Sequence, residues 1–151
     1  VVISLGLVEH FSDTAEVVRA IARFVHAGGL VITVVPNMGG VIGWAQRIVD
    51  RRIYEQHKSV APPELQAAHE RNGFVTRQCG YFGSFDPAVV NEGALGRVPG
   101  LVLRALRVVS RVIAWRLFRS LDIEPETRLL SPYCAYIGRL ERTSTSCPTS
   151  S

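Results

Sequence analysis

Apolar residues recur along the chain in two rhythms. Val1, Val2, Ile3 and Leu5 form a short, nearly continuous run rich in β-branched side chains, and Leu30 to Val35 forms a second. Runs of that kind mark strands covered on both faces. Between them Val17, Val18, Ile21, Phe24 and Val25 fall at helical intervals. Ser12, Asp13 and Thr14 offer capping side chains ahead of them, and Asp13 with Glu16 has capping-box spacing. Gly28 and Gly29 then predict the helix end. Strand, helix and strand in this compass predict a βαβ unit, hence a parallel pair joined by a right-handed crossover.

Pro36 and Asn37 close the second strand, and after Gly39 and Gly40 a helix is predicted from Ile42 to about Glu55. Pro62, Pro63 and Glu64 start another through Leu65 and Ala68, stopped by Asn72 and Gly73. Phe74 to Gly80 and Tyr133 to Leu140 read as a third and a fourth strand. Between those two the pattern changes. Leu101 to Leu121 reads as an amphipathic helix, with Arg104, Arg107, Arg111, Arg116 and Arg119 on one half and Leu103, Leu106, Val109, Ile113 and Leu117 on the other. The expected organisation is one domain over residues 1–142, carrying a helical insertion at 86–131, followed by a disordered Ser/Thr-rich tail at 143–151. The fold class is α/β: one half of a doubly wound sheet, with parallel strands and a final antiparallel one.

Composition narrows the function classes. With 151 residues, 47% of them hydrophobic and 20% charged, the chain is an ordinary globular sequence able to bury a core. The formal charge is +4, and Lys58 is the only lysine. Without an aromatic-basic strand pattern this does not read as a nucleic-acid binder. Cys79, Cys134 and Cys147 are odd in number and widely spaced, which argues against a disulfide framework or a cysteine zinc site and fits a cytoplasmic protein. No secretory leader is visible, and no apolar run reaches the roughly 20 residues of a membrane span. The Arg-rich helix has two readings. It is either a lid packed on the sheet, or an interfacial helix touching the inner membrane face peripherally, its arginines snorkelling to head groups around Trp115 and Phe118.

Ser4, Leu5, Gly6, Leu7, Val8, Glu9, His10, Phe11, Ser12 and Asp13 resemble a signature of class I, S-adenosylmethionine-dependent methyltransferases, in which an apolar strand runs into Glu-His, an apolar residue and, two positions on, Asp. His26, Ala27, Gly28 and Gly29, then the strand ending in Val35, Pro36 and Asn37, resemble the next two signatures; Ala27 stands where Pro is usual. His57 with Lys58, Pro63 to Leu65, and Asn72 to Phe74 are similar to the stretch that follows. The flavour is that of ubiquinone-biosynthesis O-methyltransferases. Cover is good over residues 1–81, plausible over 132–142 and absent between.

The resemblance implies a small, apolar acceptor and the cofactor S-adenosylmethionine, with Ser4, Leu5, Gly6, Leu7, His10 and Phe11 lining its pocket. The family's glycine-rich cofactor loop would lie upstream of Val1. With no initiator Met and an opening inside a strand, a fragment inactive by itself is expected. Plain core packing is the competing role for Leu5 and Leu7. His10 and His57 are candidate bases, beside Glu9, for an acceptor that must lose a proton. Helix capping and loop hydrogen bonding are the competing roles for Glu9 and His10. His26 and His69 read as surface helix residues, and Trp44, Tyr54, Tyr81 and Phe82 as candidates to shape an acceptor pocket. Some quinone-pathway relatives carry a further Glu three residues before Glu9 and hold a divalent cation there; Gly6 takes that position, so no metal is expected. A non-catalytic half-domain binding a membrane or partner through its basic helix is the competing function.

Overall fold

A computed structural model describes residues 1–83 and 126–141, together with the helical positions Val108, Val109, Val112, Arg116 and Arg119. The expected tail and most of the Arg-rich helix lie outside the described residues. In chain order the elements are β1 (Val2–Leu5), a 3-10 turn (Val8–His10), α1 (Thr14–Ala22), β2 (Leu30–Pro36), α2 (Val41–Val49), α3 (Arg51–Glu55), α4 (Pro62–Glu70), β3 (Phe74–Phe82) and β4 (Tyr133–Leu140). The strands form one sheet in the order β1-β2-β4-β3. β1 and β2 are parallel, while β4 runs antiparallel to both β2 and β3. Three strands therefore share a direction, and the last in sequence is inserted against it. That is the predicted class, and the βαβ unit is the predicted one.

Register sorts the side chains onto two faces. Ser4 pairs with Thr33, Thr33 with Tyr136, and Val35 with Cys134. These residues are buried, against Val17, Val18 and Ile21 of α1 and Leu65 and Ala68 of α4. The other face carries Ile3, Leu5, Ile32, Val34 and Ile137, paired across the same ladders. There Ile3 is 60% and Leu5 67% exposed, on the strand at the edge of the sheet. An apolar edge strand with one neighbour is an invitation to pairing.

Local signals explain most boundaries. The Asp13 carboxylate accepts from the Ala15 and Glu16 amides, capping α1. The Glu16 side chain turns instead to Arg19. α1 stops at Ala22, short of the expected end, and leaves Phe24 76% exposed while Val25 remains in the core. Gly28 adopts φ 77° and donates its amide to Leu140, so the turn into β2 is tied to the far end of β4. The helix expected from Ile42 to Glu55 is two helices. It breaks at Asp50, whose extended backbone and carboxylate (accepting from the Ile53 amide) make it the N-cap of α3.

His69 corrects the sequence reading. It is 0% exposed, not a surface residue. Its Nδ1–H donates to the Leu65 carbonyl (2.8 Å), so Nε2 accepts from the Thr33 hydroxyl (2.9 Å), and the ring stacks on Tyr136 at 3.9 Å. Burial pushes its pKa down to about 4 against the opposing pull of the Leu65 carbonyl. The helix period placed its Cβ on the face that meets the sheet, and Thr33 supplies the polar partner burial demands. His26 is exposed, but in the turn after α1.

Candidate functional site

The carboxyl ends of β1 and β2 lie side by side, where ligands of open α/β sheets bind. A cavity of about 440 Å³ opens there. Leu5, Gly6, Val34 and Pro36 come from the strand ends, Met38 follows β2, Ile42 and Gln46 come from α2, Ile53 from α3, and Tyr133 from the start of β4. Glu9 and His57 supply its acid and base. Asn37, which is buried, donates to the Arg128 (2.8 Å) and Ser131 (2.9 Å) carbonyls and so anchors the approach to Tyr133.

Glu9 sits in the 3-10 turn after β1, only 2% exposed. Its Oε2 is buried without a hydrogen-bond partner. Gly6 makes room for it: with φ 61° the chain turns out of β1, and a Cβ on Gly6 would meet Glu9 Oε1 at 3.4 Å. A buried carboxylate oxygen without a donor is costly.

Two imidazoles lie beside it. His10 and His57 lie with ring centroids 4.6 Å apart, and one ligand atom from each of Glu9, His10 and His57 lies within 4.8 Å of the others. His57 Nδ1–H donates to the Ile53 carbonyl at 2.7 Å, which leaves Nε2 as the nitrogen with a lone pair. The break at Asp50 matters here, because α3 offers that carbonyl. Lys58 completes the arrangement. Its amide donates to the Glu9 carbonyl (2.7 Å), and its ammonium donates to the Ser12 carbonyl, Thr14 and Glu64 at 3.0, 3.3 and 2.6 Å. Burial raises the Glu64 pKa, but the Lys58 and Thr14 hydrogen bonds and the Lys58 charge outweigh it, and the net direction is down.

The three candidate bases thus come together. The candidate cofactor residues divide: Leu5 and Gly6 line the cavity, Leu7 and Phe11 are 42% and 47% exposed at the surface, and Ser4 is buried on the opposite face with its hydroxyl unpartnered. Trp44, a candidate for the pocket, is 66% exposed. Ile42 and Gln46, which flank it at i−2 and i+2, line the cavity instead, a pair legible as an i, i+4 stripe. Tyr133 and the Lys58 anchor were missed, and no local signal marks either.

Two solved structures share this fold. A SAM dependent methyltransferase from Archaeoglobus fulgidus matches with a TM-score of 0.51 at 17% identity, over 91% of this chain and 57% of that one. A chain from Galdieria sulphuraria with the provisional name sarcosine dimethylglycine methyltransferase matches with a TM-score of 0.52 at 20% identity, over 92% of this chain and 52% of that one. The chain has the fold of a class I methyltransferase and spans little more than half the length of these structures. No protein-family model and no curated protein matches the sequence.

Proposed function

We propose that this chain supplies the acceptor side, and part of the cofactor side, of a site transferring a methyl group from S-adenosylmethionine to a small, apolar acceptor. The observation that carries the reading is the apolar cavity at the strand ends with the Glu9–His10–His57 cluster at its wall, in a fold shared with methyltransferases. The residues at the end of β1 fit the cofactor. Leu5, Leu7 and Phe11 present exposed apolar surface beside Gly6, whose lack of a side chain admits a ligand close to the backbone. When bound, the cofactor supplies an electrophilic methyl carbon on a sulfonium.

The chain's own residues hold and deprotonate the acceptor. Ile42, Ile53, Val34 and Tyr133 exclude water and fix its orientation, which is most of what an in-line displacement needs. For an acceptor with an O–H or N–H, His57 Nε2 takes the proton, with Glu9 stabilising the imidazolium that forms. A carbon acceptor uses the same pocket. In this proposal the cofactor half of the site is completed against β1, and the chain alone is inactive.

Calorimetric titration of S-adenosylmethionine into the chain, and into the longest product of its reading frame, tests the reading. Saturable binding by the longer product, weakened by Leu5→Asp, is expected. No heat from either protein removes the methyl-transfer reading.

A second reading has its own observation. Val108, Val109 and Val112 are helical and 61%, 52% and 48% exposed, on the segment that also carries Arg116 and Arg119. We propose for it a peripheral contact with an anionic membrane surface, on the cytoplasmic side. Among the described residues no helix is long and apolar enough to cross a membrane. Pelleting with anionic vesicles, lost when the arginines of residues 104–119 are replaced, is the expected result; failure to pellet ends this reading.

A further inference from the structure

The sheet carries a second concavity, at the end away from the strand-end cavity. It is a depression of about 540 Å³ around Gly28, Arg77, Arg139 and Glu141, with Ala27, Val75 and Leu140 as apolar walls. Arg139 pairs with Leu30, the first residue of β2, whereas Pro36, the last, lines the strand-end cavity. At about 3.3 Å per residue the two lie roughly 20 Å apart. A solvated arginine alone signals nothing. Here two converge, and each is placed by a local device. Arg139 Nε–H donates to the Gly28 carbonyl at 2.8 Å, and the guanidinium takes the space a side chain at Gly28 would need: a Cβ there would stand 3.2 Å from Nη2. That leaves the N–H groups of Nη1 and Nη2 as the donors still to be engaged. Arg77 falls at the bulge in β3, where Thr76 pairs with Gly138 and Gln78 with Ile137, so Arg77 has no residue opposite it. Bulges re-aim a side chain, and Arg77 lines the same depression as Arg139. Among the described residues neither guanidinium has a carboxylate partner; the ion pairs join Arg19 to Glu16, Arg51 to Glu55 and Lys58 to Glu64.

We infer that Arg77 and Arg139 form a binding site for a small organic carboxylate with an apolar body, separate from the methyl-transfer site. The Nη1 and Nη2 groups of Arg139 make a planar fork that matches the two oxygens of a carboxylate, and Arg77 supplies a further charge-assisted hydrogen bond. Charge selects among anions. Two guanidiniums against the Glu141 carboxylate leave one net positive charge, which a monoanion neutralises and a phosphate dianion exceeds. The apolar body rests on Ala27, Leu140 and Val75, which is 43% exposed and gains by being covered.

The site is independent of the methyl-transfer reading, and its test needs no S-adenosylmethionine. Isovalerate is titrated into the chain, with chloride at matched ionic strength as the reference, while backbone amide and arginine Nε–H resonances are followed by NMR. Saturable shifts are expected at Gly28, Arg77 and Arg139, and none at Arg19 or Arg51. Acetate, with the same charge and little apolar body, is expected to bind at least about threefold more weakly. Arg77→Gln should weaken isovalerate binding about fivefold or more, and Glu141→Gln should tighten it about twofold. Arg139→Gln should abolish saturable binding; because Arg139 also holds the Gly28 turn, Arg77→Gln decides should that variant fail to fold. Shifts that never plateau, that chloride reproduces, or that persist unchanged in Arg77→Gln overturn the inference. Acetate or phosphate bound as tightly as isovalerate overturns it too.

Discussion

Two histidines of this protein begin alike and end differently. His57 and His69 each donate Nδ1–H to the carbonyl four residues earlier, Ile53 at 2.7 Å and Leu65 at 2.8 Å. The difference lies at Nε2. In His69 it meets the Thr33 hydroxyl, with Tyr136 stacked on the ring, and nothing remains to react. In His57 it keeps its lone pair next to His10 and a buried carboxylate at the wall of a cavity. A satisfied imidazole glues α4 to the sheet; an unsatisfied one has chemistry left to do. The comparison also separates the covered sheet face, where Thr33 and Tyr136 partner the buried ring, from the strand ends, where one Glu9 carboxylate oxygen has no partner.

Breaking the covered side should have the largest effect on stability. His69→Ala removes a packed ring and strands the Thr33 hydroxyl, and is expected to cost about 3–4 kcal/mol in urea denaturation. A cost below 1 kcal/mol would mean that the ring does not hold α4 to the sheet.

Protonation attacks the same residue more gently. The His69 imidazole titrates near 6.5 when free and near 4 in the fold, so the unfolded chain binds the extra proton between those values. Its contribution is complete above pH 6.5 and is lost as pH falls towards 4, about 3 kcal/mol in all. His69→Gln is expected to flatten that part of the stability-pH curve. An unchanged slope assigns it to other groups.

At the strand ends the effects on stability shrink. Gly6→Ala forces a side chain onto φ 61° and towards Glu9, with an expected cost of about 1–2 kcal/mol. Should Gly6→Ala be as stable as wild type, the turn after β1 is looser than described. Lys58→Met removes an ion pair whose side chains are 37% and 40% exposed, so about 0.5–1 kcal/mol is expected. Because the Glu64 pKa is lowered, this contribution is present above pH 4.5 and fades below it. The more telling readout for Lys58→Met is the His57 resonance, which should move as the loop loses its anchor.

The sequence carried the frame of the fold and half of the site. Strand runs, the Asp13 cap and the glycine turn were enough for the βαβ unit, and Glu9 and His10 stood out through the methyltransferase signature they resemble. What escaped is long-range. The capacity of Asp50 to split a helix is common to many aspartates, and only the packing of α3 makes use of it. His69 looked exposed because no local pattern announces that Thr33, on a distant strand, will partner it. His57 was named as a base, but its meeting with Glu9 depends on a backbone hydrogen bond from Lys58. Tyr133 enters the pocket only because β4 inserts antiparallel beside β2.

The most direct measurement replaces each histidine in turn and reads stability and methyl transfer side by side, in the longest product of the reading frame. His57→Ala is expected to shift stability by less than about 0.5 kcal/mol and to slow transfer to a hydroxyl acceptor by about a hundredfold or more. His69→Ala should lower stability, and lower transfer only in proportion to the protein left folded. If His57→Ala transfers methyl groups at the wild-type rate, or if both variants lose stability and activity together, the division between a structural and a reactive histidine is contradicted.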